Sequence, residues 1–345
     1  MRKWGYLGLG WVFIWGLSAC GENEGINPVN SDIYEIDLPD HFPSLEFFIP
    51  EDNPLTNSKV ELGKKLFFDA NLSSDGTISC ASCHKPELAF TDGRSLSIGV
   101  QGRLGKRNAP SLANAVFGQS FFWHGSIPTL EQQAIFPLED PNEMDNNFTE
   151  IIRRVNGDSA YQLAFTQVFG SEATPAFVTD ALASFQRALL SYESPYDKFL
   201  QGDSSALTPS QHRGLTLFNG ETAECFHCHN PSYNFTDESF RNNGLYEVYS
   251  DPGRWEVTGL ESDKGKFKVP TLRNISLTAP YMHDGSLPDL EAVLDHYMSG
   301  GKAHPNKSGE IRRFVLSEGQ KQDLLNFLES LTDPSFINNP LFRND

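Results

Sequence analysis

Two pentapeptides, Cys80-Ala81-Ser82-Cys83-His84 and Cys225-Phe226-His227-Cys228-His229, constrain this 345-residue chain more than anything else in it. In each, two thiols can add across the vinyl groups of a haem while the adjacent His offers an axial nitrogen to the iron. A C-x-x-C pair alone also serves zinc sites, disulfide exchange and structural disulfides. The His that follows immediately, present twice, selects haem attachment. Two covalent haems are therefore expected, held by Cys80, Cys83, Cys225 and Cys228, with His84 and His229 as iron ligands. His227, between two cysteines, reads as a solvated spacer.

The N-terminus combines Arg2 and Lys3, an apolar stretch over 4–17, and Leu17-Ser18-Ala19-Cys20. The apolar stretch is too short to span a bilayer, which takes ~20 residues, and fits the core of a signal peptide over residues 1–19. Its ending resembles a bacterial lipoprotein signal, in which Cys20 becomes the lipidated first residue; the alternative is an ordinary cleavage site that leaves Cys20 a spare thiol. The chain has five Cys. Four go to haem, and the odd one sits where lipidation needs it. Residues 20–32 then read as a flexible tether, and the expected location is the periplasm or cell envelope, anchored to a membrane through Cys20. The net charge of −18 would become −20 without Arg2 and Lys3. Such acidity argues against nucleic acid as a partner and favours a basic patch on any partner protein.

Beyond the tether the chain repeats itself. Pro110-Ser111-Leu112-Ala113-Asn114 returns 160 positions later as Pro270-Thr271-Leu272-Arg273-Asn274, and the same offset relates Gly125-Ser126, Pro128, Leu130 and Glu131 to Gly285-Ser286, Pro288, Leu290 and Glu291. The haem motifs are offset by only 145, so the second unit holds about fifteen extra residues, expected in the Asn-, Asp-, Ser- and Gly-rich stretch 232–266. Each unit opens with a similar helix, Leu62-Gly63-Lys64-Lys65-Leu66-Phe67 and Arg213-Gly214-Leu215-Thr216-Leu217-Phe218. Apolar spacing predicts further helices over 148–168, 176–200 and 318–331, with helix starts at 56–58 and at Thr208-Pro209. The expected fold class is all-α: two cytochrome c-like domains in tandem, each with one haem, over 33–200 and 201–345, joined through Gln201-Gly202-Asp203-Ser204-Ser205.

An iron with a vacant face binds peroxide, whereas one with six ligands mainly moves electrons. In the second unit His296, Tyr297 and Met298 are all able to ligate. The position 160 before Tyr297 is Pro137, which has no donor atom. One haem is thus expected closed and the other open.

The paired haem motifs, Trp123 ahead of Gln133 and Glu143, and Lys268-Val269-Pro270-Thr271-Leu272-Arg273-Asn274 leading to Ala279-Pro280-Tyr281 and His283-Asp284-Gly285 resemble the bacterial dihaem cytochrome c peroxidase and MauG family over residues 55–335. The resemblance implies that Glu143 is the general acid-base that moves a proton during O–O cleavage, that Gln133 orients the peroxide, and that Trp123 lies between the haems as an electron relay. It also implies a Ca²⁺ ion bound by the Asn108 side chain and the Thr278 and Pro280 carbonyls. Two departures bear on the branch. Val100 stands where many of these peroxidases keep a His that blocks the first iron. Tyr297 stands where the ordinary peroxidases place Met and MauG places Tyr; a phenolate lowers a haem potential and a thioether raises it. Tyr297 is the expected sixth ligand of the second haem, with Met298 as the alternative and His296 or water as a third.

These features point to a dihaem c-type peroxidase. It would reduce hydrogen peroxide at the first haem, with electrons delivered through the second from a small donor, a cytochrome c or a cupredoxin. A MauG-like oxidase that modifies residues of a partner protein and a non-enzymatic dihaem electron carrier are the rival readings. Oligomeric state stays open, a homodimer included.

Overall fold

A computed structural model describes residue 1 and residues 32–344. The signal segment beyond Met1, Cys20 and almost all of the tether lie outside the described residues, and the account below concerns the unit that opens at Ile33.

Helices dominate, as the apolar spacing predicts. The chain runs through α1 (Asn57–Phe67), α2 (Cys80–Cys83), α3 (Leu130–Glu139), α4 (Phe148–Gly157), α5 (Ser159–Phe169), α6 (Pro175–Ala188) and α7 (Pro195–Leu200). It continues with α8 (Pro209–Phe218), α9 (Trp255–Thr258), α10 (Leu290–Ser299), α11 (Glu318–Glu329) and α12 (Pro334–Ile337). Among the described residues the one sheet is the two-residue pair β1 (Phe240–Arg241) and β2 (Phe267–Lys268). Both expected helix starts are present: the Thr56 and Thr208 hydroxyls accept the Lys59 and Gln211 N–H groups.

Two expected helical runs are each cut in two. Asp158 leaves the helical path and caps α5, accepting from the N–H groups of Ala160 and Tyr161. Non-helical residues 189–194 separate α6 from α7, where Pro195 restarts the helix at a position that needs no N–H partner. Apolar residues flank the break at Asp158 and run into the second through Leu189 and Leu190, so periodicity alone merges what the caps divide.

The opening helix of each half crosses a later one at a glycine. A Cβ on Gly63 would strike the Ala181 carbonyl and Phe185 of α6; one on Gly214 would strike the Asp323 carbonyl and Phe327 of α11. The close approach lets Leu62, Leu66 and Phe67 share a core with Val178, Leu182 and Phe185. Phe218 likewise meets Leu324, Phe327 and Leu328 in a second core. Each such side chain contributes roughly 1.5–3 kcal/mol on burial.

The sequence repeat is a repeat of backbone conformation as well. Asn114 and Asn274 are both left-handed, at φ 59° and 58°, as are Phe122 and Met282 at 64° and 77°. The two Asn side chains meet at Ser191. Asn114 accepts from its N–H at 2.7 Å and donates to its carbonyl at 3.0 Å, and Asn274 donates to its hydroxyl at 3.0 Å. The halves differ most in the stretch expected to hold the insertion, which carries β1 and α9 and reaches back to the first half. Arg107 pairs with Asp251 at both its carboxylate oxygens, 2.7 Å each, and with Glu256 at 2.7 Å, while Arg254 donates to the His124 and Gly125 carbonyls.

The crossings yield a test. Gly63→Ala or Gly214→Ala forces a methyl against backbone and should cost about 3 kcal/mol, the upper part of the usual overpacking range. Denaturant midpoints of the haem-loaded protein measure this, and unchanged midpoints would rule out so close a crossing.

Candidate functional site

Local structure turns both motif histidines the same way. Ser79 and Ser82 cap each other around α2, and the His84 N–H closes the turn on the Cys80 carbonyl at 2.9 Å. The His84 Nδ1 then meets the Phe90 carbonyl at 2.7 Å, aimed by positive φ at Ala89 and Phe90. In the second motif the His229 N–H bonds the Cys225 carbonyl at 2.9 Å, and its Nδ1 meets the carbonyl of Phe235, also at positive φ, at 3.0 Å. Each Nδ1–H thus donates to a carbonyl six residues on, which leaves Nε2 with its lone pair as the ligating atom. Burial holds both imidazoles below their usual range, so both stay neutral.

One cavity of about 1200 Å³ reaches both motifs and is lined by Cys80, Cys83 and His84 at one place and Cys225, Cys228 and His229 at another. The four thiols are free. Among the described residues no three His, Cys, Asp or Glu side chains converge as a metal cage, which disfavours a zinc–thiolate centre. A large hollow, paired thiols and an oriented imidazole at each motif fit a covalently bound haem in each place. His227 does not line the cavity, in keeping with a spacer.

Equivalent helices wall the two places. α3 presents Leu130, Gln133, Ala134 and Pro137 to the cavity, and α10 presents Leu290, Val293, Leu294 and Tyr297, position for position. Of the three candidate ligands on α10 only Tyr297 lines the cavity. His296 bonds the Asn243 carbonyl through Nε2 at 3.1 Å, and Met298 packs into the second core. Burial pushes the Tyr297 phenol up to about 12.

Glu143 also lines the cavity. The Glu143 N–H donates to the Asp140 carbonyl at 3.0 Å and its carbonyl accepts from the Val100 N–H at 2.8 Å, while its carboxylate makes no hydrogen bond among the described residues. Burial, with Asp140 adding to it, pushes this carboxyl up to about 7. Val100 is fully buried and does not line the cavity. Trp123 does, its indole N–H donating to the Asn108 carbonyl at 2.8 Å and its ring packing on Leu245, Tyr249 and Phe267 of the second half. The expected calcium residues divide: Asn108 and Thr278 line the cavity and Pro280 does not. The Asn108 amide nitrogen is committed to the Arg94 carbonyl at 2.8 Å, which leaves Oδ1 as its available atom.

Several cavity residues are given no role by the sequence. His283 stands 160 positions after Trp123 and lines the cavity, so the repeat alone could have found it. Arg107, His124 and Gln186 also line it and carry no motif signal.

The family model for di-haem cytochrome c peroxidase matches residues 57–205. The methylamine utilization protein MauG of Methylorubrum extorquens is 41% identical over 296 residues, covering 84% of this chain and 83% of that protein. The cytochrome-c peroxidase IdrP1 of a Pseudomonas species is 35% identical over 332 residues, covering 86% of each. The crystal structure of a MauG-like protein associated with microbial copper homeostasis superposes with a TM-score of 0.85 at 40% identity, covering 90% of this chain and 99% of that one.

Replacing either anchoring thiol, Cys80→Ala or Cys225→Ala, should leave half of the wild-type haem attached after acid-acetone extraction of the denatured protein. Tyr297→Phe should change the spectrum of the second haem and Met298→Leu should not; the reverse result would transfer the ligand role to Met298.

Proposed function

The chain belongs to the bacterial dihaem cytochrome c peroxidase and MauG family, an oxidoreductase family, and from that premise we propose that it reduces hydrogen peroxide to water with electrons from a small redox protein. One observation carries the proposal: where α10 turns Tyr297 into the cavity, α3 has Pro137, flanked by Gln133 and with Glu143 nearby in sequence, so the first wall offers polar side chains and no ligating atom at that position.

In this proposal the two halves act as tandem cytochrome c-like domains, one haem each. Haem held there would supply an iron able to react with peroxide and to pass electrons. The protein residues have separate tasks. His84 Nε2 and His229 Nε2 would hold the two irons, and each imidazole is held against rotation by its carbonyl partner. The Glu143 carboxylate would take one peroxide proton and return it to the departing oxygen, a transfer its raised affinity for protons suits near neutral pH. Gln133 orients the peroxide through its amide. Trp123, packed against the second half, lies on the route between the haems. Asn108, Thr278 and Pro280 stay the proposed holders of a Ca²⁺ ion, and Cys20 the proposed lipid anchor in the periplasm.

Tyr297 favours a second reading. Its position on the cavity wall supports a MauG-like oxidase that spends the same oxidising equivalents on residues of a partner protein. Peroxide turnover with and without a reduced small cytochrome c or cupredoxin distinguishes the two, because a peroxidase consumes donor stoichiometrically with peroxide.

The pH dependence checks Glu143. The carboxylate must be ionised to take the first proton, so the rate of the peroxide reaction should fall as pH drops through about 7. Glu143→Gln should remove that inflection and slow the reaction by ~10²-fold or more, with both haems still bound. A variant that keeps the wild-type profile would reassign the proton transfer.

A further inference from the structure

Gln186 lies on α6 and lines the cavity, yet only 6% of its surface is exposed. Its amide makes no hydrogen bond among the described residues. No fully enclosed side-chain nitrogen or oxygen among them lacks a partner, so the surface left to this amide opens on the cavity. A polar group buried to this degree is expected to meet a partner when its site is filled.

The second half supplies the comparison. Gly63 meets Ala181 and Phe185 where Gly214 meets Asp323 and Phe327, so Gln186 corresponds to Leu328, which also lines the cavity. The neighbouring wall position is Leu182 in one half and Leu324 in the other, both aliphatic. Gln133 likewise corresponds to Val293. The first site therefore replaces two aliphatic wall residues with amides, one on α3 and one on α6. The two helices are tied by Arg187, the residue after Gln186, whose guanidinium grips Glu131 of α3 at 2.6 and 2.9 Å.

We propose that Gln186 is a positioning residue of the first site, a second amide that works with Gln133 to hold the water or peroxide bound on the open side. The inference rests on the open first site argued above. The aliphatic Leu328 and Val293 leave the second site without such an amide pair.

Fluoride binding to the ferric, haem-loaded protein tests this, because fluoride on an open ferric haem depends on hydrogen-bond donors around it. Gln186→Met keeps the length of the side chain and removes the amide; Gln186→Leu copies the second half. Both should weaken fluoride binding by about 10-fold or more, the loss of one hydrogen bond to a charged ligand. Haem content and the spectrum of the second haem should stay unchanged. A merely structural role would survive the Met replacement, so wild-type affinity in that variant overturns the assignment. Loss of the first haem from both variants overturns it too, since Gln186 would then serve haem loading. A wild-type protein that binds no fluoride at all would instead remove the open site on which both proposals stand.

Discussion

A single buried ion pair gathers the parts of this fold. The Arg273 guanidinium and Asp197 carboxylate, neither with any exposed side-chain surface, bond at 2.6 and 2.8 Å. Asp197 also takes the His41 ring nitrogen at 2.9 Å and the Ser194 N–H and hydroxyl. Arg273 reaches the Tyr233 carbonyl and lies over the Phe42 ring. The segment that carries His41, α7 and the repeat segment 270–274 thus meet at one charge pair, whose Arg273 lines the cavity. Removing one partner of such a pair leaves an uncompensated buried charge and typically costs 3–5 kcal/mol. The pairing and its attendant bonds hold the Asp197 carboxyl far below the usual carboxylate range despite its burial.

Around that junction the halves are joined by hydrogen bonds that a sequence cannot announce. Asp333 is an example: one of its oxygens accepts from Ser191, Tyr192 and Glu193, while the other caps α12 through Ser335 and Phe336. Nothing in the spacing of residues 191 and 333 foretells this. The same holds for the Arg107 and Asp251 pair across the halves.

What was legible was whatever depends on local covalent geometry or on repetition. The C-x-x-C-H motifs, the Thr56 and Thr208 caps and the 160-residue repeat are short-range or self-referential signals, and the repeat alone placed Pro137 against Tyr297. That Tyr297 faces the cavity while Met298 packs into the core follows from the rotation of α10, which spacing alone does not give. The breaks at Asp158 and after Ala188 are not legible because buried residues on both sides mimic one continuous helical face. Gln186 is not legible because a single Gln in an apolar helix looks like a surface residue until its neighbours are packed around it.

The matched walls of α3 and α10 have a consequence for how such a protein diversifies. After a gene duplication the two sites would share one scaffold, and their present chemistry differs at a handful of wall positions: Val or Gln, Tyr or Pro, Leu or Gln. Neither the glycine crossings nor the left-handed asparagines need change for one site to acquire the character of the other. Division of labour between two copies is then a matter of a few point substitutions, within reach of drift and selection without any intermediate that fails to fold.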